Sequence, residues 1–254
     1  MRLGAHVSIS GSLDLAIDRA VAIGCECLQI FYGSPRQWRQ VVYPDDAIRR
    51  FVTKRRAAML DPLFGHSAYL VNLAAPNREV RRNSIASLVA TMRGLERLDG
   101  LGAVTHLGSR MGTPRAVALR RAAASVRSIL DRTTRVLLVL ENSVGAGGHL
   151  GAEFEDLAEM HALLDHDPRV GFCLDTAHLF ASGWDLRTSA GIDAMVQAFD
   201  RSVGWRHVRL IHLNDSKGAL GSRIDRHENI GEGWIGPDGF RALLTHPRLR
   251  PLPG

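Results

Sequence analysis

Eight residues of the types that bind zinc recur along this chain of 254 residues, and most stand at or just beyond the end of a short apolar run. Imidazole nitrogen and carboxylate oxygen are both accepted zinc ligands. A polar residue at the end of an apolar run lies where a strand leaves the core, so several strands can direct such residues to one place. The pattern predicts a hydrolase that uses several metal ions. The eight residues are His66, His106, Glu141, Asp175, His178, His212, Asp225 and His227.

The local spacing of these residues supports a metal function. Glu141 ends the run VLLVLE, and its two carboxylate oxygens can bridge cations about 3.5 to 4 Å apart. Asp175 ends another run and His178 follows three residues later, so the two can serve neighbouring ions. Asp225 and His227 stand at positions i and i+2 and can chelate one ion from an extended loop. Singly, these residues are explained as a salt bridge, a helix cap and a solvated loop, but their coincidence favours metal.

The histidines differ in how far the sequence supports a ligand role. His66 and His106 each follow an apolar run, and either alone is also explained as a hydrogen-bonded histidine. His6 ends the first predicted strand, and we assign it no function. The remaining five fall in loops or helical stretches and are expected on the surface; they are His149, His161, His166, His207 and His246.

Apolar runs of strand length alternate with amphipathic stretches, a pattern typical of parallel βα units. It predicts an α/β fold of the TIM (β/α)8-barrel type, as one domain over residues 1–254. The predicted strands are Arg2–Val7, Cys27–Phe31, Pro62–Gly65, Ala103–Thr105, Val136–Leu140, Val170–Leu174 and Val208–Ile211. The predicted helices are Ser12–Ile23, Pro44–Met59, Glu79–Leu98, Pro114–Asp131, Glu153–Leu164, Gly191–Val203 and Phe240–Thr245.

Two long loops indicate where the active site lies, and the C-terminal segment indicates how complete the barrel is. The loops Gly145–Gly151 and Asn214–Gly236 follow strands on the face where barrel enzymes carry their chemistry, so we expect the active site there. After the last predicted helix the chain reads HPRLRPLPG. Arg250–Pro253 can at most begin an eighth strand, because proline supplies no amide donor to a ladder. We therefore expect a barrel that lacks most of its eighth βα unit.

Composition points to a nucleic-acid partner only weakly. The chain has 32 Lys plus Arg against 26 Asp plus Glu, a net charge of +6 and a pI near 9.9, which suits a polyanion. Only Lys54 and Lys217 are lysines, and such an arginine bias can equally reflect genome composition. Three cysteines without CxxC spacing, no secretory leader and no membrane-length apolar run lead us to expect a cytoplasmic protein that contacts no membrane.

Longer motifs resemble the endonuclease IV family, the zinc-dependent apurinic/apyrimidinic endonucleases of base-excision repair. The similarity runs from GAHVS at Gly4 almost to the last residue. It includes FYGSPRQWR from Phe31 and HSAYLVNLA from His66. Its most specific stretches are CLDTAHLFASGWDLR from Cys173 and HLNDSKGALGSRIDRHENIGEG from His212. The resemblance implies a TIM barrel with three zinc ions in a DNA-binding groove.

The resemblance also implies a role for each matching residue. It assigns the first zinc to His66 and His106, and it makes Glu141 the bridge to a second zinc held also by Asp175 and His212. It assigns the third zinc to His178, Asp225 and His227. Glu141 and Asp175 are the implied catalytic residues. The implied DNA contacts, made where the family penetrates the duplex at the lesion, are Arg36, Tyr69 and Leu70.

The implied activity is hydrolysis of the phosphodiester 5′ to an abasic site in double-stranded DNA. The products are a 3′-hydroxyl and a 5′-deoxyribose phosphate, and the implied enzyme is a monomer. Members of the family end with an eighth strand that presents a glutamate to the second zinc, whereas this chain stops at Gly254. We therefore expect the second zinc site to be weakened and the activity to be affected.

Two other functions stay open at this point. One is a metal-dependent sugar isomerase of the xylose-isomerase-like superfamily, whose barrels also carry Glu, Asp and His at strand ends. The triplet DRH at Asp225 and the RQW loop at Arg36 argue against it. The other is a truncated homologue that binds damaged DNA without efficient cleavage. Apart from these alternatives, Tyr69 and Leu70 are also explained as core residues and Arg36 as a solvated charge.

Overall fold

Seven parallel strands curl into an incomplete barrel in the computed structural model, which describes all 254 residues. Each strand pairs with the next in chain order, from β1 to β7. This connection pattern confirms the expected TIM-type barrel without a full eighth unit. The strands are β1 Gly4–His6, β2 Cys27–Phe31, β3 Leu63–His66, β4 Gly102–His106, β5 Leu137–Glu141, β6 Val170–Asp175 and β7 Val208–His212.

Helices connect the strands and cover the outside of the sheet. They are α1 Leu15–Ala22, α2 Asp45–Ala57, α3 Arg78–Arg97, α4 Arg115–Leu130, α5 Phe154–Leu163, α6 Thr176–Ser182, α7 Ser189–Ser202 and α8 Gly236–Thr245. Short 3-10 turns occupy Ala146–Gly148 and Trp205–His207, and a small antiparallel ladder joins β8 Asp215–Ser216 to β9 His227–Glu228. The sequence did not predict α6. Its first six residues are all buried, so it has no amphipathic period to detect.

Two apolar layers hold the barrel together. A cluster of 54 buried residues fills the space between the sheet and the helices. A second cluster of five lies inside the ring of strands. Successive side chains of a strand point to opposite faces, so each strand supplies both layers. The inner cluster consists of Phe64, Val104, Val139, Cys173 and Leu210.

Five of the predicted ligands are the last residues of their strands. The prediction ended each of these five strands one residue too early, because an apolar pattern cannot reveal that the following polar residue still belongs to the ladder. The register places His106 opposite Glu141 and Asp175 opposite His212. These polar side chains therefore stand at one level, at the carboxyl ends of adjacent strands. The five strand-end ligands are His66, His106, Glu141, Asp175 and His212.

The first and seventh strands are joined only by the last two residues, which lie at the start of β1 and next to the end of β7. The Ile211 amide donates to the Pro253 carbonyl at 3.0 Å, and the Gly4 amide donates to the Gly254 carbonyl at 2.9 Å. The Gly254 amide donates to the Arg2 carbonyl at 2.9 Å. Eighth-strand pairing is thus confined to Pro253 and Gly254. From Gly254 towards the barrel mouth, where the strands have their carboxyl ends, no strand lies between β1 and β7. We call this opening the slot.

One histidine expected on the surface is buried. His161 lies in α5 with 2% of its surface exposed, and its ring packs edge-on against Phe172 with centroids 5.5 Å apart. Burial, together with the neighbouring His207 and His166, lowers the pKa of His161 to about 4. The surface prediction was therefore wrong for this residue, because it occupies the inward face of its helix. No helix combines the length and apolarity that a membrane crossing requires.

Candidate metal centre

Glu141 lies at the centre of the site and turns its two oxygens to different partners. Oε2 is 3.1 Å from His66 Nε2 and 3.4 Å from His106 Nε2. Oε1 is 2.8 Å from His212 Nδ1 and 3.7 Å from His178 Nδ1. The carboxylate is 2% exposed, so it contacts these imidazoles and other protein atoms and almost no solvent. Its geometry is that of a bridge between two cation positions.

The second donor group combines Glu141, Asp175 and His212. Asp175 Oδ2 is 3.8 Å from His212 Nδ1 and accepts a hydrogen bond from Asn214 Nδ2 at 2.7 Å. Asp175 Oδ1 accepts from the His178 amide at 3.0 Å and caps α6. The helix-cap explanation and the ligand prediction are therefore compatible, because each uses a different oxygen.

The third donor group consists of His178, Asp225 and His227. Asp225 Oδ1 lies 3.4 Å from His178 Nε2 and 3.4 Å from His227 Nε2. His178 is buried at the start of α6, whereas Asp225 and His227 are exposed and come from the long loop after β7. The loop thus folds back over the barrel mouth and completes a group that no single strand could provide.

The donor sets fit zinc. Two ligand atoms about 2.0 to 2.1 Å from a tetrahedral ion stand about 3.3 Å from each other. The nitrogen-to-oxygen separations of the first and third groups, 3.1 to 3.4 Å, match that spacing. All donors are imidazole or carboxylate, a mixture that suits zinc before the harder cations. The eight predicted ligands therefore converge, while their role as ligands stays a prediction.

Backbone carbonyls orient two of the imidazoles. His66 Nδ1–H donates to the Ser67 carbonyl at 2.9 Å, and His178 Nδ1–H donates to the Asn142 carbonyl at 3.0 Å. A carbonyl can only accept, so Nδ1 carries a proton and Nε2 is the nitrogen that would bind an ion once it has no proton of its own. In both cases Nε2 faces the carboxylate of its own donor group.

Charges in the site shift several pKa values in opposite directions. Burial lowers the pKa of His106 to about 4, although Glu141 opposes the shift. Burial would also lower the pKa of His178, but Asp175, Asp225 and Glu141 outweigh it and raise the pKa to about 10. The hydrogen bond from His178 lowers the pKa of Asp225 to about 2. The carboxylates therefore outweigh burial at His178, whereas burial outweighs Glu141 at His106.

Cys173 is a neighbour that the sequence did not single out. Its sulfur lies within 4.8 Å of donor atoms of Glu141 and His212. Burial, with Glu141 and Asp175 nearby, raises the pKa of the Cys173 thiol well above its usual value. Because zinc binds the thiolate, the protonated thiol is a poor competitor for the carboxylates.

Asp215 is the second residue that sequence reasoning missed. It is fully buried, and its carboxylate accepts hydrogen bonds from five backbone amides at 2.8 to 3.2 Å. Gly233 must be glycine, since an added Cβ would stand 2.5 Å from Asp215 Oδ1. Asp215 also pairs with Glu228 of β9, next to His227, so it anchors the loop that carries the third donor group. The glycine-rich segment NIGEGWIG was the feature of the sequence that could have revealed this role of Asp215. The donating amides belong to Ser216, Gly231, Gly233, Ile235 and Gly236.

The predicted DNA-contact residues lie on the rim of the site. Tyr69 is 67% exposed and Leu70 39% exposed, so the core-packing explanation is wrong for both. The Tyr69 amide donates to the Pro35 carbonyl at 2.9 Å, which joins this loop to the one that carries the exposed Arg36. The Tyr69 ring stands edge-on to Phe31, with centroids 5.2 Å apart.

A cavity of about 810 Å³ extends from Tyr69 on the rim down through the slot. All eight predicted ligands line its upper part. Gly4, Leu210 and Gly254 line its lower part. The site is therefore open both at the barrel mouth and along the side where β1 and β7 face each other.

Comparison with known proteins identifies the family of this chain. A family model described as xylose isomerase-like TIM barrel matches residues 16–250. The probable endonuclease 4 of Methanoculleus marisnigri is 39% identical over 253 residues, which cover 99% of this chain and 90% of that protein. The probable endonuclease 4 of Halothermothrix orenii is 38% identical over 254 residues, which cover 100% of this chain and 91% of that protein.

Solved structures agree with these matches. A D-tagatose 3-epimerase-like protein shares the fold, with a TM-score of 0.73 at 20% identity over 99% of this chain and 86% of that one. Endonuclease IV from Thermus thermophilus has a TM-score of 0.90 at 34% identity and covers 100% of this chain and 90% of that one. The resemblance seen in the motifs is confirmed, and the chain belongs to the endonuclease IV family of xylose isomerase-like TIM barrels.

Proposed function

We propose that this protein is a zinc-dependent DNA repair endonuclease that hydrolyses the phosphodiester 5′ to abasic sites in double-stranded DNA. The products are a 3′-hydroxyl and a 5′-deoxyribose phosphate. The observation that carries the proposal is the bridging position of Glu141, whose Oε2 faces His66 and His106 and whose Oε1 faces His212. A single carboxylate shared by two cation positions is the arrangement that two-metal phosphodiester hydrolysis uses.

The eight donors would hold three zinc ions in the groups described above. When bound, the ions would supply Lewis-acid activation of water and neutralise charge on the phosphate. The second group offers three protein donors, Glu141, Asp175 and His212. Three protein ligands with an open position are typical of catalytic rather than structural zinc sites. We therefore propose that this site is catalytic.

The chain's own residues would then position the DNA. Tyr69 and Leu70 project from the rim and present apolar surface to the duplex at the lesion. Arg36, on the neighbouring loop, would contact the phosphate backbone, which carries no sequence information. An abasic nucleotide has lost its base and its stacking energy, so extruding it into the cavity costs little and contributes to selectivity.

Incision of an abasic duplex tests the proposal. Zinc-loaded protein is incubated with duplex DNA that carries one abasic site, beside an intact duplex and a chelator-treated sample. We expect cleavage only of the abasic strand with zinc present, and extension of the product by a polymerase to demonstrate the 3′-hydroxyl. Tyr69→Ala is expected to weaken binding to the abasic duplex about tenfold at unchanged zinc content. No incision above the chelated control would contradict the proposal.

The same preparation separates the two alternatives. A sugar isomerase would convert free sugars and leave DNA intact. The epimerase-like neighbour bears only on the fold, so it does not favour that function. A binding-only homologue would hold abasic DNA with two or fewer zinc ions per chain and would not cut it.

We also propose that residues 1–254 form one domain and that the protein is a monomer. Continuity of one cluster of 54 buried residues supports the single domain. A cytoplasmic location follows from the proposed genomic substrate. Sedimentation and limited proteolysis test the first two statements.

A further inference from the structure

Gln29 of β2 connects two histidines at the open side of the barrel. Its side-chain amide lies between His6 and His212: Nε2 is 3.1 Å from His6 Nδ1, and Oε1 is 3.1 Å from His212 Nε2. Gln29 is 9% exposed. Its position in the barrel mouth puts it beside the second donor group, although it contributes no ligand atom itself.

The orientation of this amide determines which nitrogen of His212 can bind an ion. When Oε1 faces His212, Nε2 must carry the proton and donate it, which leaves the lone pair on Nδ1. That nitrogen is the one that lies 2.8 Å from Glu141 Oε1 and 3.8 Å from Asp175 Oδ2. With the amide reversed, the NH2 group would face Nε2, and the proton of neutral His212 would move to Nδ1, where it blocks binding.

His6 stabilises the productive orientation. In that orientation the Gln29 NH2 group donates to His6 Nδ1, so both polar atoms of the amide are satisfied. The contrast with the other oriented ligands is informative. Ser67 and Asn142 hold His66 and His178 through backbone carbonyls, which can only accept, whereas His212 depends on a side chain that mutation can remove.

We propose that Gln29 is a positioning residue of the second metal site, which holds His212 in the Nε2–H form so that Nδ1 binds the ion. The inference rests on the proposed zinc-dependent function and adds a residue to it. Groups that accept the second N–H of a ligating histidine commonly change metal affinity by about 10- to 100-fold when they are replaced.

Three variants separate hydrogen bonding from packing. Gln29→Met keeps the length of the side chain and removes both hydrogen bonds. Gln29→Glu keeps an acceptor for His212 Nε2–H and loses the donor to His6. Gln197→Met makes the same change as the first variant at an exposed position of α7, far from the site, and serves as the control.

Zinc affinity is measured by competition with a chromophoric chelator, and zinc per chain by mass spectrometry after dialysis. We expect Gln29→Met to weaken one of the bound ions about 10- to 100-fold. Gln29→Glu and Gln197→Met should stay within about threefold of the parent protein. Cobalt substitution adds a spectroscopic readout, since the visible bands of one cobalt should change in Gln29→Met and persist in Gln29→Glu.

A measurement on the unaltered protein keeps the inference testable if a variant fails to fold. Long-range nitrogen NMR of the zinc-loaded protein should find the His212 proton on Nε2, and a proton on Nδ1 would overturn the proposal. Unchanged zinc affinity in Gln29→Met, or equal loss in Gln29→Met and Gln29→Glu, would overturn it as well. In those cases the parent protein still binds zinc and the proposed function stands. Failure of the parent itself to bind zinc would contradict the proposed function instead.

Discussion

The metal centre joins two halves of the barrel that are built differently. Strands β3 to β6 form a closed half, in which every ligand-bearing strand has a neighbour on both sides. The open half consists of β7, the slot and β1. There the predicted ligand His212 ends β7, which at this residue is paired only with β6. Pro253 and Gly254 connect β7 to β1 further from the barrel mouth.

The difference lies in how each half holds its side chains. In the closed half, backbone carbonyls orient His66 and His178, and ladders on both sides fix the strand ends. In the open half, His212 is oriented by the side chain of Gln29, which in turn depends on His6. Backbone anchors persist through most substitutions, whereas side-chain anchors do not. We therefore expect the three zinc ions to be held unequally, with the weakest hold beside the slot.

The largest effect is expected for Glu141→Gln, because Glu141 contacts predicted ligands of both halves. Loss of the bridging charge should release two ions and lower incision by about a thousandfold or more, consistent with several kcal/mol of charge stabilisation. Incision rate and zinc content are the measurements. The matched control, Glu155→Gln on the exposed face of α5, should behave like the parent. Retention of three zinc ions in Glu141→Gln would disprove the bridging role.

Asp215→Asn should have the next largest effect, because an amide NH2 would face backbone amides that now donate to the carboxylate. Each buried group left without a partner costs about 1 to 3 kcal/mol, which for a protein of this size lowers Tm by roughly 2 to 10 °C. We expect loss of the third ion while the group around Glu141 keeps its metal. The exposed Asp131→Asn is the control. Calorimetry and zinc counting provide the test, and an unchanged third site would refute the anchoring role.

Filling the slot should reduce the difference between the halves. In the register set by the Arg2–Pro253 bridge, the third residue appended after Gly254 would stand level with His6. An appended apolar strand with glutamate at that position should add a carboxylate near the second group and tighten zinc about tenfold, as a further charged ligand would. The same strand with glutamine there is the control. Equal zinc affinity of the two extended proteins would argue against a weakened second site.

The smallest effect is a pH dependence within the third group. In chelator-treated protein, the pKa of His178 is raised from 6.5 to about 10, so its contribution to stability is complete below pH 6.5 and disappears as the pH rises towards 10. The Tm difference between the parent and His178→Gln should therefore be a few degrees near pH 6 and shrink at alkaline pH. A difference that grows with pH would have the wrong sign for this electrostatic explanation.

Sequence patterns predicted the barrel because strand and helix periodicities are local. They missed α6, which is buried on every side and so has no alternation of apolar and polar residues with a helical period. They also ended five strands one residue early. They also placed His161 on the surface, although its helix turns it inward. These errors have one origin: a pattern records how apolar a residue's neighbours in the chain are, whereas pairing and burial depend on neighbours in space.

By itself the sequence determined the kinds of donor atom, their places at strand ends and the alternation that brings those ends to one face. Only the tertiary structure decided which oxygen of Glu141 faces which histidine, that Asp215 gathers five amides, and that Gln29 orients His212 across a separation of 183 residues. The physical reason is that hydrogen bonds of this kind are directional and join residues distant in the chain, so they exist only once the barrel has curled and set their angles.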